Sequence, residues 1–233
     1  MLQDILVTGL VNGGVYALLA IGFSLIFGVA RIVNIAHTAF YMLAAYCFYA
    51  LLVKGGLGFL LSGVIAVAAV TLFSMLCYRL VIEPVREHEA AVLIATIALA
   101  LIFQELMLFT FGGHYLGIPS TLEGGVRLLG VSIPYQRLLI LVVAAAMLAV
   151  VWFVLYRTRL GLAIRATAND LEVANLMGMN VHRVAMATVA ISVALAAIAG
   201  VVVAPVYVVD PFMWLAPLVT MLAIVVLTVI AST

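Results

Sequence analysis

Seven stretches of this chain run for roughly the 20 residues needed to cross a bilayer's hydrocarbon, with almost no charge inside them. They are Ile5–Ala30, Ile32–Val53, Leu57–Leu76, Ala90–Phe111, Leu138–Leu155, Val184–Ala204 and Leu215–Ala231. In lipid, only a helix satisfies every backbone donor and acceptor within an open chain, so each stretch is predicted to be helical. Charged residues make up 8% of the chain, against roughly 25% in soluble domains, too few to clothe a water-facing surface. The expected fold is all-α: one polytopic transmembrane bundle of about seven spans over residues 1–233.

The beginning, MLQDILVTGLVNGG, has no basic leader region and runs on apolar to Ala30, so it reads as a first span rather than a cleaved signal. Loops on one side carry Arg31, Arg79, Arg86, Arg157, Arg159, Arg165 and Arg183; loops on the other carry Lys54, Arg127 and Arg137. That asymmetry of seven to three puts the first set in the cytoplasm, with the N-terminus outside. A multi-pass protein of a bacterial-type inner membrane is expected, with the lipid bilayer as solvent. A net charge of +1 gives no reason to expect nucleic acid. Cys47 and Cys77 fall near opposite faces and read as packing residues. The outer passage GGVRLLGVSIPYQRL fits either a small hairpin or a plain coil.

Polar residues inside such spans face protein or water. Asn12 sits beside Gly13 and Gly14 in the first span. Asn34 and His37 stand three apart, on one face of the second helix or in a re-entrant turn. Gln104 and Glu105 lie in the fourth span, where a carboxylate at mid-membrane costs about 2.5–3.5 kcal/mol. These five are the candidates for a translocation path, and all are expected to face the bundle interior. Four isolated histidines with no Cys or carboxylate at ligand spacing predict no metal site. The single lysine, Lys54, lies in LVKGG, so the chain forms no P-loop and no catalytic constellation is visible.

The longest polar passage is RTRLGLAIRATANDLEVANLMGMNVHR, Arg157 to Arg183. Asn169-Asp170-Leu171-Glu172 has the form of a capping box. Asp170 and Glu172 suit the positive end of the helix dipole, and Gly178 suits a left-handed cap. A helix from about Asp170 to Met177 follows, with Leu171, Ala174 and Met177 along one apolar edge. Two turns are marginal in water, so something must hold this helix. A docking surface for a second protein is the predicted reason.

Two passages resemble the membrane permease subunits of branched-chain amino-acid ABC importers, the Liv-type family. Gly9–Tyr46 is similar to the family's N-terminal signature, and Arg157–Val181 to its cytoplasmic coupling segment. The resemblance implies that Gly161, Arg165, Ala166, Asn169, Asp170, Ala174 and Gly178 form a coupling element that enters a cleft on an ATPase subunit. It also implies two cytoplasmic ATP-binding subunits, a second permease subunit and an extracytoplasmic substrate-binding protein. ATP and magnesium would sit on the partner ATPase, with no cofactor bound by this chain. Two departures stand out: Ile35-Ala36-His37-Thr38 follows Asn34 where the family usually has Phe-Ala-His-Gly, and after Pro217 the family's Gly-rich segment and further helix are replaced by LVTMLAIVVLTVIAST. The expected function is non-catalytic translocation of branched-chain or similar small amino acids. Urea or short amides form the nearest alternative cargo. A self-sufficient secondary transporter or channel is the alternative from another class.

Overall fold

The computed structural model describes residues 2–119, 124–128 and 131–232. Nine α-helices are described: α1 (Leu2–Ala30), α2 (His37–Tyr49), α3 (Phe59–Cys77), α4 (Glu89–Phe111), α5 (Tyr135–Arg157), α6 (Arg159–Asn169), α7 (Leu171–Leu176), α8 (Val181–Val203) and α9 (Leu215–Ser232). Among the described residues, five helical stretches are long and apolar enough to cross a membrane. They contain α1, α3, α4, α5 and α8. The other two predicted spans correspond to α2 and α9.

Helix α8 is the axis of the bundle. It packs against α1, α2 and α3, and most of its residues are buried. Helix α5 lies at the periphery with few buried residues. The two differ in side-chain size. Ala196, Ala197, Ala199 and Gly200 let neighbours approach α8 closely, which favours helix association in lipid by van der Waals contact.

The second span departs from the sequence expectation. Its α-helix begins at His37, not Ile32, and ends through a π-helical turn, Ala50–Lys54. Arg31 takes a left-handed φ of 52°, which stops α1 and turns the chain back. A Cβ built on Gly22 would lie 3.0 Å from His37, so α2 starts level with a point about 12 Å before the end of α1. The intervening 32–36 backbone is non-helical and sheltered by protein, the condition under which irregular backbone is tolerated at membrane depth. The third span also differs, running on past Leu76 through Tyr78–Ile82 and Glu83–Val85. Pro84 falls in the first turn of that last segment, where its missing N–H is harmless.

The segment between α4 and α5 forms a hairpin, β1 (Gly125–Leu128) with β2 (Val131–Pro134), antiparallel, Val126 opposite Ile133. It is a small addition to a bundle that is otherwise all-α. Leu116 and Val209 exchange backbone hydrogen bonds of 3.0 Å, tying the segment after α4 to the one after α8.

Candidate functional site

At the basic end of the bundle α5 turns sharply into α6. The Thr158 hydroxyl donates to Val154 O at 2.6 Å and accepts from the Gly161 amide at 3.0 Å. It therefore closes the last turn of one helix and opens the next. Gly161 is the residue that permits the turn: a Cβ there would fall 2.2 Å from Val154 O and 2.4 Å from Leu155 O. Helix α6 is amphipathic, burying Gly161, Ile164 and Thr167 and exposing Leu162 and Arg165. The sequence reading missed it. Its signal was present as Thr158 before Gly161, Ile164 and Thr167, three apart along the face that α6 buries.

Asp170 ends α6 and caps α7. Its carboxylate accepts from the Glu172 and Val173 amides at 2.9 and 3.0 Å. The cap is thus Asp170, not Asn169, and no reciprocal capping box forms, because the third residue on from Asp170 is Val173. The C-terminal end behaves as expected. Gly178 has φ 79°, its amide bonds Asn175 O at 3.0 Å, and the Met179 amide bonds Ala174 O at 3.2 Å. That pair of bonds is a Schellman cap.

The expected apolar edge is corrected. Ala174 is 2% exposed and faces the protein, while Leu176 and Met177 are 85% and 79% exposed. The solvent-facing apolar edge consists of Val173, Leu176 and Met177, with Leu171 at its margin. Each step of three residues falls about 60° short of a full turn, so Leu171, Ala174 and Met177 fan out over about 120° of the helix surface, with Ala174 in the direction that meets the protein. Ala174 is what anchors α7 to the rest of the chain. Gly161, Ala166, Asn169, Asp170, Glu172 and Gly178 all lie on the α6–α7 elbow. Arg165 points elsewhere, with its guanidinium 4.9 Å from the centre of the Tyr156 ring on α5.

A neighbour the sequence reading did not foresee joins this elbow. His182, in the first turn of α8, pairs with Glu83 at the extended end of α3. Arg86 lines two cavities there, of about 420 and 270 Å³, each shared with Leu171 and Val181. The 83–89 segment and the α6–α7 elbow therefore form one continuous face. Nearby, a cavity of about 450 Å³ lies between the end of α1, the 31–33 segment, the start of α4 and Ala168 of α6.

The five path candidates do not converge on one site. Asn34 and His37 meet in the re-entrant turn, where the His37 amide donates to Asn34 O at 3.2 Å. Both are buried. The Ser192 hydroxyl of α8 donates to Gly22 O at 2.6 Å and lies 3.3 Å from His37 Nδ1. This junction joins α1, α2 and α8, and Ser192 was absent from the sequence reading. Asn34 Oδ1 and Thr38 Oγ1 are buried there without a hydrogen-bond partner among the described residues. A water, or the polar group of a cargo molecule, would satisfy them. Asn12 lies apart, half-buried, accepting from Tyr207 Oη at 2.6 Å. Gln104 is buried and accepts from Trp214 Nε1 at 3.0 Å. Glu105 contradicts the expectation: it is exposed on the outer face of α4, because inward positions at this level go to Phe103, Gln104 and Met107. No cluster of His, Cys, Asp and Glu fit for a metal occurs among the described residues.

The chain matches a family model described as "Branched-chain amino acid transport system / permease component" over residues 5–233. It is 33% identical over 221 residues to the high-affinity branched-chain amino acid transport system permease protein LivH of Escherichia coli (strain K12), covering 88% of this chain and 71% of that one. LivH of Salmonella typhimurium is 32% identical over 225 residues, with the same coverage. The permease protein BraD of Pseudomonas aeruginosa is 30% identical over 210 residues, covering 84% of this chain and 68% of its own. No solved structure matches significantly. With a bundle of apolar helices, two family-like passages placed on its re-entrant turn and its basic-end elbow, and relatives that share one description over most of its length, the chain belongs to the permease component family of branched-chain amino acid transport systems.

Proposed function

We propose that this chain is the translocation subunit of an ATP-driven importer for branched-chain or similar small amino acids, and that its α6–α7 elbow docks on a cytoplasmic ATPase. The observation that carries the docking is the exposed edge Val173, Leu176 and Met177 on a six-residue helix capped at both ends. Helices that short do not persist by propensity, and large apolar side chains held rigidly in water mark an interaction surface. ATP binding draws the motor subunits together, the elbow carries that displacement to α5 and α8, and the bundle alternates between its two openings. A second permease subunit completes the membrane part, and an extracytoplasmic binding protein delivers the cargo. ATP and magnesium belong to the ATPase; this chain performs no chemistry. The shared name of the relatives favours branched-chain amino acids over urea or short amides.

Leu176→Asp and Met177→Asp place a charge on the docking edge, where desolvation without a partner is costly. Both side chains are exposed, so membrane levels of the variants should match wild type. Co-purification of the ATPase, and ATP hydrolysis stimulated by loaded binding protein, should fall at least tenfold, a loss of about 1.4 kcal/mol. Variants that bind and couple normally would refute the docking surface.

The orientation has its own test. Cysteine at the exposed Asn175 should react with a membrane-impermeant thiol reagent only after the membrane is opened. Labelling in intact cells would reverse the topology.

A further inference from the structure

We infer that the exposed face of α4 around Glu105 is the contact surface for the second permease subunit, and that this subunit presents a hydrogen-bond donor to the Glu105 carboxylate. This rests on the reading of the chain as one member of a pair of permeases. Glu105 lies six residues before Phe111, the last residue of α4, hence about 9 Å along the helix from that end. Its neighbours on the same face are Ile94, Leu101, Ile102, Leu106 and Phe109, exposed by 69, 47, 58, 50 and 91%. The face is of lipid-facing character, and a carboxylate in it is out of place.

The carboxylate is held, not loose. Trp214 Nε1 donates to Gln104 Oε1 at 3.0 Å, and Gln104 Nε2 donates to Glu105 Oε1 at 3.4 Å. This relay runs from a buried indole to the surface. Gln104 is the one hydrogen-bond partner of Glu105 among the described residues, which leaves most of the carboxylate's acceptor capacity open.

Three occupants are conceivable, and the charge decides among them. Acyl chains offer no donor, and ionisable side chains at membrane depth almost always find protein or water. A second copy meeting α4 to α4 would bring another carboxylate, since residues 90–111 contain no Lys, Arg or His; like charges brought close repel. A membrane helix of different sequence carrying Lys, Arg or a neutral donor at that depth satisfies both conditions.

The test uses the full chain in the cells that naturally make it. Photoreactive benzoylphenylalanine is placed at Ile102 or Phe109 on α4, and at Val142 on α5, 65% exposed, for reference. Adducts are identified by peptide mass spectrometry. Positions 102 and 109 should yield an adduct with a second polytopic chain of different sequence matching the same family, and position 142 should not. Glu105→Leu should lower that adduct at least tenfold at an unchanged membrane level, and Glu105→Gln, which keeps a carbonyl acceptor, should lower it less. Adducts with lipid alone, adducts with a second copy alone, or undiminished adduct in Glu105→Leu would each overturn the inference. An α4 adduct with a second chain alongside a wild-type protein that recruits no ATPase would leave this surface standing and sink the importer reading instead.

Discussion

Replacing Gly200 with Val should prevent the bundle from closing. Helices α2 and α8 cross at this residue, and a Cβ built on Gly200 would lie 2.2 Å from Tyr41 O and 3.4 Å from the Ala44 Cβ. The first obstacle is backbone, which cannot rotate aside as a side chain can. Any substitution must push α2 off α8 by the better part of an ångström, and Val adds two further methyl groups. Overpacking costs about 1–3 kcal/mol where side chains can adjust, so the upper end is the least to expect. The chain should still insert, because its apolar stretches are unchanged. The fraction surviving detergent extraction as a monodisperse species should fall at least tenfold, read by size-exclusion chromatography. Gly9→Ala is the matched control: no described residue lies within 4 Å of a Cβ there, and Ala favours helix over Gly by about 0.5–1 kcal/mol. Wild-type behaviour of Gly200→Val would show that α2 and α8 do not touch.

Gly161→Ala should separate function from fold. The added methyl would meet Val154 O at 2.2 Å, Leu155 O at 2.4 Å and Leu155 Cα at 2.5 Å. Those atoms belong to the last turns of α5, so α6 must swing outward and carry α7 with it. The Thr158 hydroxyl would lose its bond from the residue 161 amide, a cap worth about 1 kcal/mol. Because the damage is confined to the elbow, membrane level and extraction profile should stay near wild type. Substrate-stimulated ATP hydrolysis and uptake into vesicles should fall at least tenfold. Thr158→Ala, which removes the cap without adding bulk, should give a smaller loss of the same kind. Full coupling in Gly161→Ala would show that the position of α6 does not matter to the motor.

Much of this protein was legible without coordinates, and the reason is lipid. A segment that must satisfy its backbone internally while presenting apolar side chains announces itself by length and hydropathy. The long helices α1, α4, α5 and α8 fall within a few residues of where the sequence puts them. Local chemistry was legible too: Gly178 ends α7 in a left-handed cap because only glycine takes a φ of 79° without cost. Asp170 and Glu172 announced a helix start, though one residue out of register. Facing was not legible. Whether Ala174 points to solvent, or Glu105 to the bundle, depends on rotation about a helix axis, and one residue turns a side chain by about 100°. In an almost uniformly apolar helix such as α4, hydropathy gives that rotation no contrast. The re-entrant start of α2 was legible only as one of two readings, since Asn34 and His37, three apart, fit one face of a helix and a re-entrant turn equally well. Only the tertiary structure decides those features, through steric close approach: Gly22 against His37, Gly200 against Tyr41 and Gly161 against Val154. Composition determined that the chain lives in a membrane as helices; contact between particular backbones determined which residues meet there.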